Sequence, residues 1–149
     1  RRVLFRSIHL EKRLVKTCRF QRLKGEWRLT QESIRDFTTA EPLDKFMDFY
    51  RRFVSDAAFQ QRSVSNPLRY VTTDPDDDFN TIEGTLDHDQ WDAFKPQLPD
   101  GVITNIRYGQ TYDNPDGMIL VKAGISNGLM DILDFRKKDG EWKLVSYEN

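Results

Sequence analysis

Four aspartates crowd the stretch TTDPDDDFN, at Asp74, Asp76, Asp77 and Asp78, and hard cations such as calcium take several carboxylate oxygens from runs of this kind. Counted from Asp74 as an EF-type loop, Asp76 and Asp78 fall at positions three and five. Phe79 then stands where the sharp turn needs glycine, and Thr85 where a bidentate glutamate is needed. The run reads as a solvated acidic turn, with a weak, irregular calcium site as the alternative and no metal ligand named. A second chemistry is acid/base work in a pocket, which needs a carboxylate, histidine or tyrosine whose pKa burial moves toward neutrality. Asp131, in LMDILDF, shares a strand face with Leu129, Leu133 and Phe135, so it points toward a core, where a carboxylate must be paired or protonated. Tyr108 and Tyr112 alternate with their neighbours so as to share a face with Ile106 and Gln110. Tyr108, Tyr112 and Asp131 are therefore the candidate ligand-binding residues; the competing reading packs the tyrosines as core and bonds Asp131 to backbone.

Little else has the spacing that catalysis requires. His88 falls in the first turn of a helix, where it is wet, and His9 lies near the start of the chain; neither is placed as a general base. No Ser-His-Asp set, glycine-rich phosphate loop or cysteine cluster can be assembled, so no catalytic residue and no cofactor are expected. Cys18 is the single cysteine, which excludes an intrachain disulfide.

Elements must hold these residues in place. LDKFMDFYRRFV sets Phe46, Phe49, Tyr50 and Phe53 at helical spacing, one aromatic stripe behind the N-terminal Pro42. Ser55 is expected to cap a second short helix over DAAFQQR, and Asp87 a third over HDQWDAFK. Asn66-Pro67 predicts a turn, LRYVT and TIEGTL short strands. VITNIRYGQTY, MILVKAGIS, LMDILDFRKK and EWKLVSYE, separated by Asn-Gly and Asp-Gly turns, predict a four-stranded antiparallel meander. Strict alternation sets Trp142 and Leu144 opposite Tyr147 in the last of these. Helices on one side of a curved antiparallel sheet make an α+β fold.

The segment FQRLKGEWRLT, residues 20–30, returns as FRKKDGEWKLV at an offset of 115. Repetition of Phe, Gly and Trp in register is how packing residues behave in a duplicated fold, so Trp27, Trp91 and Trp142 are all expected in the core. Residues 1–40 hold 11 Lys and Arg against 4 Asp and Glu, and the remainder 12 against 20. The basic charges alternate with apolar residues, as on a half-solvated strand, and nucleic acid is not an expected partner. No apolar run approaches the ~18 residues of a membrane span. RRVLFRS, residues 1–7, matches the translation of a common sequencing adapter and is set aside as an artefact.

From FMDFYRRFV through TLDHDQWDAFKP to FRKKDGEWKL the chain resembles domain-of-unknown-function family 4348, within the nuclear transport factor two-like, cystatin-like cone superfamily. The resemblance covers residues 8–149 and implies a curved sheet wrapped around an N-terminal helix. It also implies two such domains in tandem: residues 8–33 as the closing hairpin of a truncated first domain, 34–42 as linker and 43–149 as a complete second. Family members resemble secreted or lipid-anchored proteins of anaerobic gut bacteria, which implies a cell-envelope location. They carry no assigned activity, so the expected function is non-catalytic binding of an unknown small molecule or protein, with two copies pairing through the sheet. The alternative is an isomerase- or dehydratase-type enzyme using the cone as an acid/base pocket.

Overall fold

The computed structural model describes residues 2–37, 41–107, 114–124 and 128–149, with 105–107 described as backbone. By contacts the chain divides into two units, residues 1–55 with 98–113 and residues 56–97 with 114–149.

In the first unit, β1 (Arg2–His9), β2 (Leu14–Leu23), β3 (Glu26–Asp36) and β6 (Val102–Arg107) form an antiparallel sheet in the order β3-β2-β1-β6. Residues 2–7, set aside on sequence, are strand here. β6 lies beside β1 rather than completing a meander, with Ile103 opposite Ile8 and Val102 opposite His9. The expected continuation of that strand through Tyr108 to Tyr112 falls outside the described residues. β3 also runs three residues into the expected linker, pairing Ile34 with Lys16 and Asp36 with Leu14. A bulge between the pairs Arg19–Gln31 and Phe20–Leu29 accounts for this: one extra residue resets the alternation, so the second half of the strand loses its period in the sequence.

Helix α1 (Pro42–Ser55) carries the aromatic stripe as expected. Phe46, Tyr50 and Phe53 are fully buried, with ring centroids 6.0 Å apart for Phe46 and Tyr50 and 6.3 Å for Tyr50 and Phe53. The same helix is tied to the sheet by charge. Arg13 donates to both oxygens of Asp48, at 2.9 and 3.0 Å, and Arg35 pairs with the fully buried Asp44. Tyr50 donates its hydroxyl to the Pro99 carbonyl at 2.8 Å.

In the second unit, β4 (Val64–Asp74), β5 (Asp77–Leu86), β7 (Gly117–Ala123), β8 (Met130–Lys138) and β9 (Glu141–Glu148) form a sheet in the order β5-β4-β9-β8-β7. All neighbours are antiparallel except β4 and β9, which run parallel. Asn66-Pro67 sits inside β4 with a cis peptide, where the ladder to β9 is broken between Val64 and Arg69. Proline has no N–H to give a ladder, so strand and break coexist. Helix α2 (Ala57–Arg62) is capped by Asp56, whose carboxylate accepts from the Phe59 N–H at 3.0 Å. Ser55, the expected cap, instead donates back to the Arg51 carbonyl at 2.8 Å and ends α1. Helix α3 (His88–Phe94) starts after Asp87, as expected, with Gln90 accepting from the Asp87 N–H at 2.9 Å.

Both copies of the repeat are hairpins with the same geometry. Lys24 and Gly25 have φ of 50° and 79°, and Asp139 and Gly140 have 53° and 80°, the two positive values of a type I′ turn. Trp27 faces Arg22 and Trp142 faces Lys137; the β8–β9 bulge between Asp134 and Phe135 falls 115 residues after that between Arg19 and Phe20. The duplication therefore extends to the irregularity.

Candidate functional site

Strand alternation and the β9 bulge together decide what surrounds Asp131. The extra residue at Val145 pairs Phe135 with Leu144 but Leu133 with Tyr147, which returns Tyr147 to the face of Leu144. Trp142, Leu144 and Tyr147 are all buried. Sequence alternation had set Tyr147 on the opposite side; an inserted residue reverses every side chain beyond it.

Tyr147 donates its hydroxyl to Asp131 Oδ1 at 3.2 Å and accepts from Asn149 Nδ2 at 3.4 Å, while Tyr70 donates to Asn149 Oδ1 at 3.3 Å. The Tyr147 ring stands edge-on to Trp91 and to Tyr70, with centroids 6.2 and 5.5 Å away. Trp91 is fully buried and gives its indole N–H to Gln60 Oε1 at 3.1 Å; Lys95 reaches the same oxygen at 3.2 Å. Asp131 is thus half-buried and bonded to a side chain rather than to backbone. Of the three expected ligand-binding residues, Asp131 lies in this polar row, and Tyr108 and Tyr112 lie outside the described residues. Tyr70 and Asn149 carry no such signal in the sequence and alternation sets Tyr147 on the other face, since only the sheet pairing brings the three beside Asp131.

Burial, aided by the Asp131 carboxylate, pushes the Tyr147 hydroxyl well above the usual tyrosine range, and burial with Asp100 does the same to Tyr50. A tyrosine held protonated in this way stabilises the fold below the unfolded pKa of about 10 and ceases to do so as pH rises through the higher folded value. The urea midpoint is therefore expected to fall between pH 8 and pH 11, and to fall less in Tyr147→Phe. An equal fall in the variant would remove Tyr147 from this account.

The remaining sequence candidates are accounted for locally. Asp74 accepts from the Asp76 N–H at 2.9 Å, and Asp77 from the Phe79 N–H at 3.1 Å and from Asn80 Nδ2 at 2.5 Å. These aspartates build the β4–β5 hairpin, in which Asp74 pairs with Asp77. Among the described residues no group of three metal-ligating side chains gathers. His88 is half-buried rather than wet, with Nε2 3.0 Å from the Val64 carbonyl. His9 lies 3.2 Å from Ser7 Oγ. Trp91 and Trp142 are core residues, but Trp27 is 44% exposed. It stands on β3, the edge of its sheet, whereas β9 has a neighbour on either side.

The opposite face of the second sheet carries ions. Arg69, Ser146 and Asp134 stand in one row across β4, β9 and β8. Arg69 donates Nε and Nη2 to the two oxygens of Glu83, at 2.7 and 3.2 Å, and Nη1 to Ser146 Oγ at 3.0 Å. Arg136 donates Nε and Nη2 to Asp134, at 2.9 and 3.2 Å. These pairs hold both guanidinium groups above, and Glu83 below, their ordinary pKa ranges. Arg69, Ser146, Asp134 and Arg136 line a concavity of about 490 Å³.

The family described as Domain of unknown function (DUF4348) matches residues 1–149. The chain belongs to this family. A crystal structure of an NTF2-like protein from Bacteroides fragilis superposes on this DUF4348 chain with a TM-score of 0.86 at 43% sequence identity, over 99% of the chain. The chain spans 64% of the length of that relative. The fold of this DUF4348 member is therefore the NTF2-like α+β fold, as the resemblance implied. No curated protein matches it. Among the described residues, no helix is long and apolar enough to cross a membrane.

Proposed function

We propose that this DUF4348 protein is a non-catalytic binding domain of the cell envelope, taking a small ligand or a protein partner. One observation carries the non-catalytic part: among the described residues, every displaced pKa is displaced away from neutrality. Tyr50, Tyr147, Arg69 and Arg136 are raised and Glu83 is lowered. Acid/base catalysis asks for the reverse, a base or acid brought toward the working pH. Asp131 supports the same reading, because its partner is a tyrosine that holds its proton more firmly for being there. The concavity beside Arg69 and Arg136 supports ligand binding. The envelope location rests on the family resemblance. A tandem arrangement, each domain closing on such a hairpin, is supported by the shared turn, register and bulge of the two hairpins.

Native mass spectrometry of the full chain after incubation with a metabolite extract of an anaerobic gut community tests the proposal. A stoichiometric extra mass that persists unchanged is the expected result. Conversion of the retained compound on longer incubation would overturn the non-catalytic reading, and a clean apo mass would overturn the small-ligand half of it.

A further inference from the structure

The ion pairs on the opposite face of the second sheet share one geometry. Each arginine is gripped at Nε and Nη2 by a carboxylate on its own sheet, Glu83 for Arg69 and Asp134 for Arg136. This is the side-on, two-point contact that fixes the guanidinium plane. The remaining donors then point away from the partner. Arg69 spends one Nη1 hydrogen on Ser146. Arg136 Nη1 has no partner among the described residues, nor does the Lys138 ammonium. All three cations line the concavity of about 490 Å³, together with Lys137, Ser146 and Asn114; Asp116 and Asp134 are the opposing carboxylates. Cations thus outnumber carboxylates in the lining, although residues 41–149 as a whole are acidic.

The bulge at Val145 contributes as well. It lies between the row of Arg69, Ser146 and Asp134 and the next pair, Arg136 with Lys143, and a bulge bends and twists the strand that carries it. Val145 itself is part of the lining.

We infer that this concavity binds a small molecule through an oxyanion group, a carboxylate, phosphate or sulfate, received by Arg69 and Arg136. Two guanidinium groups oriented before the ligand arrives spare it the entropy of ordering them, and planar N–H forks match the spacing of such oxygens. This assignment deepens the binding reading and rests on it.

The test uses inorganic phosphate, inorganic sulfate and glucuronate, each titrated into the isotope-labelled full chain at low ionic strength, with backbone amide shifts as the readout. Saturable shifts at Asp134, Arg136 and Ser146 with a Kd of about 1 mM are expected for at least one anion. Which of the three saturates separates a carboxylate from a phosphate or sulfate ligand. Arg136→Gln and Arg69→Gln are each expected to weaken binding about 10-fold or more, and Arg28→Gln, on the exposed β3, to leave it unchanged. Both arginines are about half exposed, so the variants are expected to fold; a spectrum as dispersed as the parent's confirms it, and Lys138→Gln gives the same reading should one of them fail. No saturable response up to about 50 mM, or an unchanged Kd in the folded variants, would overturn the assignment. A molecule retained in the native mass experiment by the Arg69→Gln/Arg136→Gln double variant would leave the binding reading standing and remove this site from it.

Discussion

Trp142→Ala is expected to destabilise the protein by about 3–5 kcal/mol, and Trp27→Ala by less than about 1 kcal/mol, although the two residues sit at equivalent places in the repeat. Trp142 is 8% exposed and its neighbours Leu144 and Phe135 are fully buried, whereas Trp27 and Leu29 are 44% and 51% exposed. Removing an indole from a packed site forfeits its transfer free energy and leaves a cavity; on an open face most of that surface is already wet. Urea denaturation of the two variants, read by far-ultraviolet circular dichroism, makes the comparison. Equal losses would mean that Trp27 is covered in solution, and the open face of the first sheet would then have to be redrawn.

The ion pair between Arg35 and Asp44 carries the second large effect. Asp44 has no exposed side-chain surface and Arg35 is about one-third exposed, so removing the cation takes the guanidinium from a buried carboxylate, while removing the carboxylate leaves a cation that water can reach. Breaking a buried pair from one side costs about 3–5 kcal/mol. For Arg35→Met the lower end, about 3 kcal/mol, is expected, because the partial exposure of Arg35 screens the pair. Arg35→Met/Asp44→Asn should recover more than half of that loss, since the desolvated charge is gone. A double variant as unstable as the single one would show that Arg35 acts through packing of its stem rather than through its charge. The same measurement reports on the placement of α1, which Arg13 and Arg35 both hold against the first sheet.

Several elements could be read from one residue to the next. The stripe Phe46, Phe49, Tyr50, Phe53 specified α1 because helical spacing is local and a run of large rings has only one face on which to hide. Asp87 specified the start of α3 by the same local logic. Lys24-Gly25 and Asp139-Gly140 specified two hairpins, since the turn demands positive φ at adjacent residues. The family pattern in these segments was enough to recognise the NTF2-like fold, which the match over residues 1–149 and the relative from Bacteroides fragilis bear out.

What the tertiary structure alone decided is every fact that depends on a neighbour distant in sequence. β6 pairs with β1 instead of following the hairpin order, and β4 lies parallel to β9 although 77 positions separate Tyr70 from Tyr147. Two bulges, invisible to a two-residue period, turned Tyr147 inward and carried β3 on to Asp36. The β8–β9 bulge and the pairing of β4 with β9 set Tyr70, Tyr147, Asn149 and Asp131 on one face, and Arg69, Ser146 and Asp134 on the other. Local sequence sets turns and stripes because backbone sterics and helical period act within a few residues. Register, sheet order and coverage are collective properties of strands meeting in space, and so two like hairpins bury one tryptophan and leave the other in water.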